Sequence, residues 1–324
     1  MVRQRRDISP GWGDKMKNTI KPIALLSCLL FLAQPVSPEE KKPYKSRFSL
    51  KLTGGAGYTA IGDMNSHLES INNNASFEYW RIHDPDSVSG EIKTLNNWGY
   101  DFELELMMKL SPKFSIGMAA SAPFRRSNES SVIFTPQEIP GIGYQKINME
   151  YRPEIKLSYL IKISLYYTWL TMTRFRANIM GGIGYYPVTM SEYIKEITYT
   201  HSIENSMALD TTDWNAKERY PFGFHGGIGL EYVLDEEFSF IIDIQGRYVK
   251  FGNLRASGEF KQEAMTFRRS GVLYYLNYWH PVIEAKYDKL DISETDELGG
   301  ENVRKAILDI GGFSLRVGVK INLF

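Results

Sequence analysis

The chain has 324 residues, 43% of them hydrophobic and 13% aromatic, with 38 basic and 38 acidic side chains and no formal net charge. That balance excludes the basic excess of a nucleic-acid protein, and the apolar content excludes a disordered or collagen-like chain. A single cysteine, Cys28, excludes an intrachain disulfide and a thiolate metal cluster.

The first expected element is a leader. Ile23–Ala33 is a long apolar run, interrupted only by Ser27. It is far shorter than the roughly 20 residues that a membrane helix needs. Lys17 and Lys21 precede it, and Ala33, Gln34 and Pro35 follow. This order describes a secretory signal peptide over residues 1–37, cut between Ala33 and Ser37. Met16 opens MKNTIKP, a better signal start than Met1, so residues 1–15 read as a misplaced start. Removing residues 1–37 also removes Cys28 and leaves 32 basic against 36 acidic side chains.

Beyond the leader no apolar stretch is long enough for a membrane helix. The chain alternates apolar and polar residues instead, which is the period of a strand. In chain order the expected strands are Phe48–Tyr58, Tyr100–Leu110, Phe114–Ala122, Ile147–Tyr167, Phe175–Tyr185, Phe222–Tyr232, Phe238–Tyr248 and Phe313–Leu323. Ile147–Tyr167 is the clearest, with Met149, Tyr151, Ile155, Leu157, Ile161 and Ile163 on one face. Short links, such as Ser111-Pro112-Lys113 and Asp235-Glu236-Glu237, alternate with long ones at about 59–99, 123–146, 187–221 and 250–306. Loop lengths sorted by end predict an all-β fold: an eight-stranded antiparallel up-and-down transmembrane β-barrel over residues 38–324, with short periplasmic turns and four long outer loops.

In such a barrel the apolar faces meet lipid and the polar faces share a narrow lumen. The expected lumen set is Lys51, Glu103, Glu105, Glu150, Arg152, Glu154, Lys156, Lys162, Arg176, His225, Glu231, Asp243, Arg247, Arg316 and Lys320. Gly117, Gly182, Gly227, Gly229 and Gly318 leave room among them. Eight strands enclose a lumen only just filled by side chains, so a closed polar plug is expected rather than a wide pore. Tyr58, Trp98, Tyr100, Tyr167, Trp169, Tyr185, Tyr186, Tyr220, Phe222, Tyr232, Phe238 and Tyr248 lie at strand ends and predict aromatic girdles.

The repeated Gly54–Tyr58, Gly181–Tyr185 and Gly226–Leu230 motifs and the closing segment Gly311–Phe324 resemble the small bacterial outer-membrane β-barrel family, which includes the OmpA-, OmpX- and OmpW-type barrels. The resemblance implies residence in the outer membrane after export through the periplasm. It also makes Phe324 part of the signal read by the barrel assembly machinery. Asn322 departs from the pattern, standing where the family carries an aromatic.

The remaining residues offer little chemistry. Of His67, His83, His201, His225 and His280, only His225 falls in an expected strand, on the lumen side. Glu231, six residues along, is roughly 20 Å away, so a base–nucleophile pair would need a partner from another strand. Asp84–Ser87 and Asp210–Asp213 lack the spacing of a calcium loop. No metal, cofactor or catalytic residue is expected. Arg125, Arg126, Arg255, Lys261, Arg268 and Arg269 could meet lipopolysaccharide at the outer rim. Gly271–Trp279 could add a hairpin, and Gly62–Asn74 could form a short helix or a loop over the mouth. Pro123 with Pro153, and Pro187 with Pro221, could interrupt ladders and open the wall sideways. The expectation is a monomeric, non-enzymatic barrel that touches lipid, with a structural, surface-contact or small-solute passage role. The alternative is a barrel enzyme acting on lipid or peptide at the outer leaflet.

Overall fold

A computed structural model of the chain describes residues 47–72, 87–135, 144–201, 206–262, 265–280, 285–295, 298 and 301–323. The leader, Cys28, His83 and Phe324 lie outside the described residues. Eight strands close into a barrel: β1 (Phe48–Thr59), β3 (Trp98–Lys109), β4 (Phe114–Ser121), β8 (Leu160–Thr171), β9 (Phe175–Tyr185), β12 (Phe222–Val233), β13 (Phe238–Tyr248) and β20 (Gly312–Asn322). Every pairing is antiparallel, and β1 closes the circle by pairing with both β3 and β20.

Alternation decides the two faces of the wall. Leu104, Leu106, Ile163, Leu165, Ile228, Ile242, Leu315 and Val317 all point outward and are exposed. Lys51, Glu103, Lys162, Asp243 and Arg316 point inward and are buried. A soluble protein does not leave a continuous apolar belt uncovered. The 11 residues of β13, tilted by about 40°, span roughly 26 Å, matching the apolar band of an outer-membrane barrel. Aromatic rings border the belt. Trp98, Tyr58 and Phe313 pack together at one end, and Phe175 with Tyr232 and Phe114 with Tyr167 at the other. Tyr186 is not in a girdle, because it turns inward and is buried. The chain is therefore a transmembrane barrel of the bacterial outer-membrane type.

The short turns are fixed locally. Asp235 Oδ1 accepts the N–H groups of Glu237 and Phe238 at 2.8 and 2.7 Å, and Ser111 Oγ accepts that of Phe114 at 3.1 Å.

Among the described residues, the four long outer connections carry strands. They fold into a second sheet built from β2 (Val88–Gly90), β5 (Phe124–Ser127), β6 (Ser130–Phe134), β7 (Tyr144–Leu157), β10 (Val188–His201), β11 (Ser206–Lys217), β15 (Arg255–Gln262), β16 (Met265–His280), β17 (Ala285–Ser293) and β18 (Glu301–Lys305). The Gly271–Trp279 segment lies in β16 of this sheet, outside the barrel. A two-stranded ribbon joins β14 (Lys250–Phe251) to β19 (Leu308–Asp309). The Gly62–Asn74 segment contains the helix α1 (Asp63–Asn72), whose Met64, Leu68 and Ile71 are buried. The helix starts sharply. Gly62 has φ of 70°, and a Cβ there would strike the Ile307 carbonyl. Asp63 accepts the Ile307 N–H at 2.6 Å and holds Arg304. Asn65 and Asn72, two turns apart, each exchange hydrogen bonds with the backbone of the segment before β3.

Helix and sheet enclose a dry core that includes Met64, Leu68, Leu157, Leu160, Tyr186, Met190, Trp214, Leu273 and Ile310. Leu160 and Tyr186 adjoin barrel strands, so this core runs down to the barrel mouth. The outer segments form a folded cap.

This cap corrects the reading of Ile147–Tyr167 as one strand. The run splits into β7 in the cap and β8 in the barrel, joined by Ser158 and Tyr159, both exposed. Leu157 is 1% exposed inside the cap, whereas Ile161, on the same predicted face, is 46% exposed toward lipid. Two consecutive outward residues exchange the parity, as a bulge does. Glu150, Arg152, Glu154 and Lys156 consequently leave the lumen. They stand on the outer face of the cap, where Arg125 pairs with Glu154 and Arg152 with Glu129.

A second ion pair, besides Asp63 with Arg304, anchors helix to sheet. His67 Nε2 lies 3.3 Å from Glu192 of β10, Nδ1 faces the Asp288 carbonyl at 3.0 Å, and Trp214 donates to Glu192 at 3.1 Å. Burial opposes the imidazolium, but the Glu192 charge and the hydrogen bonds to Glu192 and Asp288 outweigh it, raising the pKa above 6.5 against opposition from Lys289. A raised folded-state value stabilises the cap fully below pH 6.5, and the contribution is lost as pH rises through the raised value. Amide exchange across α1 should therefore quicken as pH rises from 6 to 9, beyond the intrinsic rate, and His67→Gln should abolish the excess. An unchanged excess in that variant would contradict the pair's role.

Candidate functional site

The lumen is filled by paired charge. Arg316 Nη1 lies 2.9 Å from Glu103 Oε2, and Lys162 pairs with the same carboxylate. Lys51 Nζ lies 2.6 Å from Asp243 Oδ2 and 3.4 Å from Glu105 Oε2. Tyr166 donates to Glu105 at 2.7 Å, Ser121 to Glu103 at 3.0 Å, and Lys162 to Gln245 at 2.9 Å. The three cations and three carboxylates balance, as buried charges must. Small residues make this possible: a Cβ at Gly117 would collide with Glu105, and one at Gly55 with Arg316.

Nearer the turns, Glu231 holds Lys320 at 3.0 Å and Arg176 at 3.2 Å. Met107, Tyr166 and Met180 form a small apolar cluster. Sequence reasoning missed Met107 and Tyr166, although both fall on the polar parity of their strands.

His225 finds its partner across the sheet. The register aligns Ser164, Gly182 and His225 on three neighbouring strands. Gly182 has no side chain, so the imidazole crosses it and meets Ser164 Oγ at 2.8 Å. Nδ1 has no hydrogen-bond partner, and both residues are buried.

Arg247 stands at the barrel mouth, bonded to Thr59 and to the Ile310 carbonyl. It lines a cavity of about 190 Å³ that also reaches Tyr100, Phe102, Pro123, Arg126 and Tyr186. This cavity lies beside a gap in the wall's hydrogen-bond ladder. The β3–β4 ladder ends at Glu103↔Ser121, with one further bond from the Ala122 N–H to the Phe102 carbonyl. Above it Pro123 has no N–H to offer, and β4 leaves the barrel to become β5, which pairs with β7. Among the described residues, β3 from Trp98 to Asp101 then has a strand partner only in β1. The Arg126 side chain occupies the opening against Gly99, where any Cβ would clash. The other prolines leave no such gap. Pro153 pairs within β7–β10 and its carbonyl accepts the Asn128 N–H, the Pro187 carbonyl accepts the Ser158 N–H, and the Pro221 carbonyl accepts the Tyr186 N–H.

Outside the barrel, three more of the candidate rim cations are engaged. Lys261 and Arg268 pair with Glu259, and Arg269 with Asp291. Asp210–Asp213 runs within β11, where successive side chains alternate sides. Among the described residues no cluster of three or more His, Cys, Asp or Glu is placed to hold a metal.

No family model matches the chain, and no curated protein does. Among solved structures, the outer membrane protein OprG from Pseudomonas aeruginosa aligns at 12% identity and a TM-score of 0.34, over 85% of this chain and 96% of OprG. A FadL homologue from Pseudomonas aeruginosa aligns at 6% identity and a TM-score of 0.20, over 86% of this chain and 91% of the homologue.

Proposed function

We propose that this outer-membrane barrel passes small, largely apolar molecules sideways into the membrane between β3 and β4. The observation that carries this reading is the cavity in the wall above Glu103↔Ser121, lying over a lumen blocked by buried ion pairs. A charge-filled axis resists hydrated solutes, whereas a gap bordered by Tyr100, Phe102 and Pro123 offers apolar walls continuous with lipid. Assignment to an OmpA-, OmpX- or OmpW-type barrel belongs to the same reading, supported by eight strands with short turns at one end. Lipopolysaccharide contact, assembly by the barrel machinery and a monomeric state complete it.

A cross-link tests the passage. Extended past Ser121, the register of this ladder would bring residue 124 opposite residue 100, so a disulfide between them would draw the gap closed. Cys28 is the only natural cysteine. Oxidation of a Tyr100→Cys, Phe124→Cys variant should stop uptake of an apolar fluorescent dye by cells carrying the protein, and reduction should restore it. Undiminished uptake with the disulfide formed would overturn the reading.

The Ser164–His225 contact favours a second reading, a barrel enzyme, because nucleophile and base are within hydrogen-bond reach. Nothing orients the imidazole from Nδ1, and neither residue lines the cavity. Labelling of Ser164 by a fluorophosphonate is the result that would favour it.

A further inference from the structure

We propose that the cavity in the wall recognises amphiphiles carrying a single negative charge, with the head group at Arg126, Arg247 and Tyr186 and the chain leaving between β3 and β4. This rests on the lateral-passage reading and names the class of molecule the passage takes.

The lining divides by chemistry. Phe102, Pro123, Phe124, Leu157 and Leu160 make its apolar part, and Asp101, Arg126, Tyr186 and Arg247 belong to its polar part. Two donors there are unsatisfied. Tyr186 is 1% exposed and its hydroxyl has no partner, and the Nε of Arg126 is buried without one. Buried donors are normally paired, so each is suited to an acceptor supplied by a guest. The Arg126 guanidinium does not serve a cationic head, because it only donates and repels like charge.

Charge arithmetic limits the guest. Lys162 also lines the cavity but is neutralised by Glu103. Arg126, Arg247 and Asp101 remain, leaving one positive charge in excess. Asp101 offsets one of the two guanidinium groups, so a second negative charge on the guest would have no cation left to meet. A monoanion fits this balance. The volume of about 190 Å³ is below that of a site enclosing a drug-sized ligand. It suits a head group and the first carbons, with the rest of the chain in the opening.

The test uses the full protein in nanodiscs of zwitterionic lipid, with a decanoate carrying a photoreactive diazirine, and maps labelled residues by mass spectrometry. Label should fall on the β3 and β4 wall near Tyr100 and Pro123. Decanoate should compete at least tenfold better than decanol or decylammonium. Arg126→Gln, which removes the cationic guanidinium, and Tyr186→Phe, which removes the hydroxyl, should each weaken that competition roughly tenfold, as expected for a hydrogen bond to a charged group. Equal competition by decanol, or unchanged competition in both variants, with the wall still labelled, would overturn the head-group inference and leave lateral passage standing. Absence of label on the wall would overturn lateral passage itself. Nanodiscs containing phosphatidylglycerol distinguish the source. Suppressed labelling identifies a membrane lipid as the occupant, undiminished labelling identifies a solute from the medium, and either result keeps the site.

Discussion

Replacing Arg316 by alanine should destabilise the barrel by about 3–5 kcal/mol, the cost of leaving buried carboxylates without their cation. Arg316 is 1% exposed, lies 2.9 Å from Glu103, and has Asp243 within ionic reach at 3.9 Å. Truncation would leave Glu103 to Lys162 alone, and Asp243 to Lys51, which also serves Glu105. Arg316→Lys keeps the charge but cannot reach both carboxylates with separate nitrogens, so it should cost less than alanine. Urea unfolding of protein refolded into lipid vesicles measures the difference. An alanine variant as stable as the parent would mean that the ion network does not hold the barrel together. Exchanging the charges of Glu103 and Arg316 should not recover the loss, because the new cation would face Lys162 and the new carboxylate Asp243.

The second large effect separates two residues that the sequence places on one face. Leu157→Ala should cost about 2–5 kcal/mol as a cavity in the cap core. Ile163→Arg puts a charge on the lipid face near mid-membrane and should cost about 2–4 kcal/mol of insertion. The two losses should be read by different probes. Leu157→Ala should loosen amide protection in α1 and β10 while the barrel still inserts and resists heat as a folded band on a gel. Ile163→Arg should lower the inserted fraction and leave cap protection unaltered in the molecules that do insert. A Leu157→Ala variant that fails to insert, with its cap protected, would put that residue at the lipid surface.

The same pair explains how far the sequence is legible. Period-two alternation finds the barrel strands because a closed wall between lipid and lumen enforces it residue by residue, as along β13 from Phe238 to Tyr248. Alternation does not say whether an apolar face meets lipid or a protein core, since both are dry. Ile155 and Leu157 pack inside the cap while Ile161 and Ile163 face outward, yet all four share one uninterrupted pattern. The signal that could have separated them is Leu160, an apolar residue on the polar parity, buried at the junction of cap and barrel. The long outer segments also carried a sign of folding, because Met64, Leu68 and Ile71 repeat at helical spacing.

At the site, strand parity gathers buried charges such as Lys51, Glu103 and Arg316 but also Glu150, Arg152, Glu154 and Lys156, which lie in the cap, and the partners depend on register across strands that are distant in sequence. Lys51 meets Asp243 and His225 meets Ser164 only after the barrel closes. The wall opening shows the same limit. Four prolines looked alike in sequence, and only the pairing of each neighbouring strand separates Pro123 from Pro153, Pro187 and Pro221.

The sealed axis is the claim on which the sideways route depends, and single-channel recording in a planar bilayer tests it most directly. Refolded protein should insert without producing unitary current above that of the bare bilayer, because Lys51, Glu103, Glu105, Lys162, Asp243 and Arg316 fill the bore. A sustained, reproducible unitary conductance from the unmodified protein would contradict it.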